Sequence, residues 1–121
     1  MVIKWNECLS SDFANIQEED IALIIVSSLE QHALHLPTGT DEYIGQAVAE
    51  EAAGKCKRKV YMMPSVNYGF SYHHLKFKSS VSIKQTGLIG IIKDIIRCVY
   101  HTGFKKMTKV TTIIIDTLKY T

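Results

Sequence analysis

The chain has 121 residues, of which 46% are apolar and 21% charged, and its formal net charge is +2. That length fits one domain, and the composition is that of a soluble globular protein, which argues against a disordered chain or a membrane protein. The charge is too small, and the one basic run at residues 55–59 (KCKRK) too short, to suggest a nucleic-acid groove.

The first twenty residues, MVIKWNECLSSDFANIQEED, hold no apolar stretch behind a basic start, so no signal peptide is expected and a cytoplasmic location is the default. Cys8, Cys56 and Cys98 are odd in number and widely spaced, the pattern of ordinary thiols rather than a disulfide framework or zinc ribbon. Residues 21–29 (IALIIVSSL) are apolar and β-branched with little alternation, which predicts a strand buried on both faces. After a loop holding His32, His35 and Pro37, the run Thr40-Asp41-Glu42 predicts a helix start, and Gly54 with the basic run predicts its end near Lys55. Ala47, Val48, Glu51 and Ala52 suggest a packing face of small residues.

Residues 60–66 (VYMMPSV) predict a second strand, with Pro64 at its end. Residues 67–80 form a long irregular stretch with Gly69, several aromatics and the pair His73-His74; such loops in compact domains are usually functional or disordered, and the aromatics argue against disorder. Over residues 85–100, Leu88, Ile91, Ile92, Ile95, Ile96 and Val99 follow helical spacing, and Gly103 ends the helix. Residues 109–115 (KVTTIII) predict a third strand. The alternation predicts a single α/β domain over residues 1–121 with a largely parallel sheet, about three strands and two to three flanking helices. In such sheets sites form beyond the carboxyl ends of the strands, which singles out the loop after residue 29.

That loop packs Glu30, His32, His35 and Asp41 into a dozen residues. If strand geometry persists, Glu30 and His32 project to one side and Asp41 returns to the same place. Such oxygen and nitrogen donors suit zinc or manganese, and a carboxylate such as Asp41 can bridge two ions. Paired ions would activate water and polarise a carbonyl, the chemistry of amide hydrolysis. Equally, Glu30, His32 and His35 fit a solvated loop, and Asp41 a simple helix cap. No glycine-rich phosphate loop follows a strand, which leaves a nucleotide-binding module without support.

The string SLEQHALHLPTGTD resembles the creatininase-family signature S-x-E-Q-H-G-P-H-L-P with its following aspartate. Farther on, Tyr68-Gly69-Phe70-Ser71, His74 and Val81-Ser82-Ile83 resemble the family's Y-G-x-S-x-E-H-x-x-F-P-G-T-V-S-L segment, and Gly103-Phe104-Lys105-Lys106 its G-F-K-K. The resemblance implies a creatininase-like sandwich, commonly hexameric. It also implies a metal-dependent amidohydrolase acting on a small cyclic amide or related C–N bond, with Glu30 and His32 on two different metals and Asp41 bridging them. His35, Tyr68, Ser71 and His74 would line the pocket or support the ligands.

The chain departs from the pattern at Ile25 and Ser27, where proline and glycine are usual. Ala33-Leu34 stands for Gly-Pro, His73 for glutamate, and Lys78-Ser79-Ser80 for Pro-Gly-Thr. If the backbone at Ala33 needs a positive φ, its β-carbon adds strain. His73 and His74, pointing apart in an extended chain, would not serve one metal, so His73 is read as a loop residue. The family's N-G-H-G-G-N-like segment, which supplies a further ligand, has no counterpart after Lys106, and Asp116 is the only nearby carboxylate, read as a turn residue. The expectation is therefore an N-terminal half with an exposed sheet edge, either an enzyme completed by a complementary C-terminal half or by copies of itself, or a non-catalytic metal- or partner-binding remnant.

Overall fold

The computed structural model describes residues 1–111. Four strands, Val2–Lys4 (β1), Ile21–Val26 (β2), Val60–Met62 (β3) and Lys106–Thr111 (β4), form one parallel sheet in the order β1-β3-β2-β4. Two helices connect them, Thr40–Lys55 (α1) from β2 to β3 and Gln85–Thr102 (α2) from β3 to β4. The expected α/β architecture is present, with one strand more than the sequence pattern suggests. That strand, β1, is three residues long and carries no periodic signal. It exists because Val2, Ile3 and Lys4 pair with Val60, Tyr61 and Met62 across the chain. Of the strand expected at 109–115, the structure describes residues up to Thr111, within β4; residues 112–115 and Asp116 lie outside the described residues.

The unalternating apolar run of β2 has the use it predicts. Leu23 and Ile25 face α1 in a cluster with Ala49, Ala53, Val60 and Met62. Ile24 and Val26 face the other way and pack with Leu88 of α2. Ala22 joins Tyr61, Val99 and Phe104, against which Trp5 and Phe13 fold, with Trp5 5.3 Å from Phe104 between ring centres. Burying one such aliphatic side chain contributes about 1.5–3 kcal/mol, so β2 is the axis of the core.

The packing face of α1 is not the one expected. Its buried residues are Asp41, Gly45, Ala49 and Ala53, at i+4 spacing, whereas Ala47, Val48, Glu51 and Ala52 are exposed. Several alanines and a glycine spread around the helix make its faces nearly alike in hydrophobicity, so pattern alone does not select one. The expected smallness does hold, and it lets α1 sit close to the sheet. On α2 the apolar stripe was legible: Leu88 and Val99 are buried, Ile92 and Ile95 pack against the core, and the flanking Ile91 and Ile96 remain exposed. Gly103 takes φ +119°, the left-handed helix-ending conformation that suits glycine, and turns Phe104 back into the core.

In the order β1-β3-β2-β4, α1 carries the chain from β2 to one side and α2 carries it from β3 back past β2. β2 and β3 are thus neighbours whose outgoing loops leave towards opposite faces, the switch point at which α/β sheets open a crevice. β1 and β4 are the outer strands, and β4 presents Lys106 and Lys109 to solvent, a common device against edge pairing. No helix among the described residues is long and apolar enough to cross a membrane.

Replacing Ala49 with leucine should overpack the α1 interface and cost about 1–3 kcal/mol. Ala47→Leu, on the exposed face, should stay within about 0.5 kcal/mol. Urea denaturation midpoints of the two variants distinguish the observed face from the one the sequence suggests.

Candidate metal centre

β2 ends at Val26, and the ladder continues only through Ser27, whose N–H donates to the Val66 carbonyl at 2.8 Å. Strand geometry therefore does not bring Glu30 and His32 together; an irregular loop does. It is tied to the loop after β3 by the Val81 N–H donating to the Leu29 carbonyl, 2.9 Å, and by the Gln31 N–H donating to Ser80 Oγ, 2.9 Å. The two loops that diverge at the switch point thus close over it as one unit.

Asp41 is not a helix cap. The N-terminal flank of α1 is Gly39, with no side-chain cap, and Thr40 Oγ1 donates instead to the Pro37 carbonyl at 2.6 Å. One helical step on, Asp41 lies on the buried face, and its carboxylate points at the loop. Its Oδ1 lies 3.2 Å from His32 Nε2, and its Oδ2 is buried without any hydrogen-bond partner among the described residues. Ligand atoms of Glu30, His32 and Asp41 all lie within 4.8 Å of one another, and Glu30 and Asp41 are 7% exposed each.

The protonation pattern of His32 follows from its other nitrogen. Nδ1 lies 3.0 Å from the Glu30 backbone carbonyl, which can only accept, so Nδ1 carries the proton. In the neutral ring Nε2 then presents a bare lone pair to a carboxylate oxygen. Two acceptors face each other at hydrogen-bond distance, an arrangement that a cation between them would resolve. A ring N–H anchored on a backbone carbonyl is also the usual support of a metal-binding histidine. Burial, then hydrogen bonding with Glu30 and the charge of Glu30, push the Asp41 carboxyl above its ordinary value, with His32 opposing. A buried pair of carboxylates, an orphaned oxygen and a bare imidazole nitrogen together fit a divalent ion.

The remaining expected site residues are distributed differently. His74 joins the cluster, with Nε2 3.8 Å from Glu30 Oε2. Ser71 is fully buried, its N–H bound to Ser82 Oγ at 2.7 Å and its own hydroxyl without a partner among the described residues. Tyr68 and His35 are exposed, and His35 stands outside both groupings of donor atoms. His73, expected to point away, does not: residues Tyr72–His74 form a 3-10 turn that sets its ring centre 4.2 Å from that of His74. With Glu30, the two form a second donor grouping. An extended chain would separate adjacent side chains, and the turn is what the sequence reading lacked. Ser27, also fully buried and with no hydroxyl partner among the described residues, carried no sequence signal beyond its departure from the motif glycine.

Ala33 has φ +59° and Ser79 φ +78°, the only non-glycine residues at positive φ among those described. The creatininase motifs have glycine at both positions. The family model of creatinine amidohydrolase matches residues 6–112. The chain belongs to the creatininase family.

Among curated relatives, it is 29% identical over 92 residues to the 3-dehydro-scyllo-inosose hydrolase of Thermotoga maritima, covering 75% of this chain and 29% of that protein. It is 39% identical over 72 residues to the mycofactocin precursor peptide peptidase of Mycolicibacterium smegmatis, covering 56% and 29%. A mutant creatininase complexed with creatine shares the fold at TM-score 0.83 and 20% identity, over 98% of this chain and 49% of that one. Manganese and zinc–zinc forms of creatininase superpose with TM-scores of 0.79 and 0.80. The chain spans 29% of the length of the curated relatives and about half of the solved creatininases it matches.

Because the folded Asp41 carboxyl titrates above its unfolded value, the metal-free protein gains stability from that proton at low pH and loses it as pH rises through the folded value. Thermal midpoints measured in chelator should therefore fall as pH rises above about 4, and Asp41→Asn should remove this component of the slope. Ala33→Gly and Ser79→Gly should each relieve strain and raise stability by up to about 1 kcal/mol, read from denaturant midpoints.

Proposed function

We propose that this creatininase-family chain is the metal-binding half of a metal-dependent amidohydrolase acting on a C–N bond, such as a cyclic amide, of a small molecule. The observation that carries this reading is the bare His32 Nε2 facing Asp41 Oδ1 at 3.2 Å beside Glu30. Glu30, His32 and Asp41 would hold a divalent ion, zinc or manganese, and the two oxygens of Asp41 suit it to bridging a second. Such an ion polarises a substrate carbonyl and acidifies water at neutral pH. The protein's own groups then have separate tasks. Glu30 and Asp41 supply the negative charge that retains the ion, the Glu30 carbonyl orients His32, and the joined loops exclude bulk water from one side. His35, Tyr68, Ser71 and His74 are assigned to the substrate pocket or to support of the ligands.

The chain spans about half of the solved creatininases it matches, and the proposed activity is that of a homo-oligomer or of a complex with a complementary C-terminal half, in a cytoplasmic setting and with residues 1–121 as one domain. A second reading, a non-catalytic metal- or partner-binding module, draws on the strained Ala33 and Ser79 in the site loops, where substitution of glycine signals relaxed constraint.

Metal content per chain, measured by mass spectrometry on the size-exclusion peak, tests the centre. Near-stoichiometric zinc or manganese in the wild type, falling at least about tenfold in Asp41→Ala and His32→Ala, is the expected result. A folded, metal-free wild type would overturn the enzyme reading. Amide hydrolysis appearing only in an oligomer or with an added C-terminal half would select the first reading over the second.

A further inference from the structure

The second donor grouping, Glu30 with His73 and His74, looks on distance alone as fit for an ion as the first. Hydrogen-bond direction separates the two. The Ala33 N–H donates to Gln31 Oε1 at 2.9 Å. A backbone amide can only donate, so this bond fixes which end of the Gln31 amide is oxygen. The Gln31 Nε2 is therefore the group 3.0 Å from His74 Nδ1, and since Nε2 of an amide can only donate, His74 Nδ1 accepts. In the neutral ring the proton of His74 lies on Nε2, the nitrogen that faces Glu30 Oε2 at 3.8 Å.

His32 and His74 are similarly buried, their side chains 21% and 26% exposed, yet they turn opposite faces to the carboxylates. His32 offers a bare nitrogen and His74 an N–H. Only a bare nitrogen can ligate a metal. With His74 committed as a donor, the second grouping keeps Glu30 and the exposed His73, too few ligands for a stable site.

We propose that Gln31 locks His74 in the Nε2–H tautomer, making it a positioning residue that turns its N–H toward the Glu30 carboxylate and denying the His73–His74 pair to metal. The relay begins at Ala33, whose N–H the Gln31 side chain accepts, while Ser80 holds the Gln31 backbone. Glu30 thereby has one oxygen faced by the His74 N–H at 3.8 Å, while its carboxylate also lies with Asp41 and His32. The functional consequence rests on the proposed metal centre; the tautomer itself belongs to the metal-free protein.

Long-range proton–nitrogen correlation spectra of histidine-labelled protein test both parts separately. In chelator, at a pH where the rings are neutral, His74 should show the Nε2–H pattern and His32 the Nδ1–H pattern. On adding zinc, the His32 Nε2 resonance should shift and His74 should keep its Nε2 proton. In Gln31→Glu, a carboxylate accepts from both the Ala33 N–H and the ring, so His74 should invert to Nδ1–H and become zinc-sensitive. His74→Ala should weaken zinc affinity about tenfold. A wild-type His74 in the Nδ1–H form, or one that loses its Nε2 proton to zinc, overturns the proposal. Correct tautomers without any zinc response uphold the Gln31–His74 lock and overturn the metal centre instead.

Discussion

Strand β2 is hydrogen-bonded on both sides, to β3 and β4, and Ala22 through Val26 are all buried. The other inner strand, β3, is enclosed in the same way but is only three residues long, so β2 is the longer frame to which the site is referred. A strand so held cannot shift register without moving Leu23 and Ile25 out of one layer and Ile24 and Val26 out of the other. The point at which the chain leaves the sheet is therefore fixed. From there Ser27, Ser28 and Glu30 stay buried as the loop turns, and α1 returns along the same face closely enough for Asp41 to meet His32. That close approach depends on Gly45, Ala49 and Ala53; a larger residue on this face would lift the helix and, with it, a carboxylate.

Burying two carboxylates side by side is unfavourable unless something offsets it, because desolvation and mutual repulsion both oppose ionisation. The fold holds Asp41 on a helix and Glu30 in a cross-linked loop, so neither can swing out to water without disrupting packing. The backbone also dictates proton positions: the Glu30 carbonyl does so for His32, and the Ala33 N–H, through Gln31, does so for His74. Two imidazoles within one cluster acquire different chemical characters from main-chain groups, directly for His32 and through the Gln31 side chain for His74.

What could be read in the sequence was what local pattern encodes. The β2 run, the extent of α1 to Lys55 and the stripe of α2 were legible because burial on two faces or one leaves a periodic trace. β1 was not, since three residues acquire strand geometry only by pairing with a segment more than fifty positions away. The face of α1 was misassigned because alanine and glycine leave almost no contrast around the helix. At the site, the clustering of Glu30, His32 and Asp41 and the motif that contains them pointed to residues whose donor atoms the structure brings within 4.8 Å of one another, although the geometry that unites them is a loop rather than a strand. The positive φ at Ala33 was anticipated from the motif glycine, and Ser79 repeats the same circumstance in the facing loop. His73 escaped because a single 3-10 turn reverses the expectation for adjacent side chains.

The all-parallel sheet also governs how the protein is built. Val2 pairs with Val60 and Ile21 with Lys106, so no strand among those described finds its neighbour through a tight hairpin. Every pairing must first bear the entropy of closing a long loop before hydrogen bonds or burial repay it. Helices α1 and α2 form locally, but their apolar faces have nothing to rest on until β2 and β3 meet. Folding is thereby tied to one encounter in mid-chain, and the two loops that carry the candidate metal centre, anchored at the ends of those same strands, acquire their shape as that encounter succeeds.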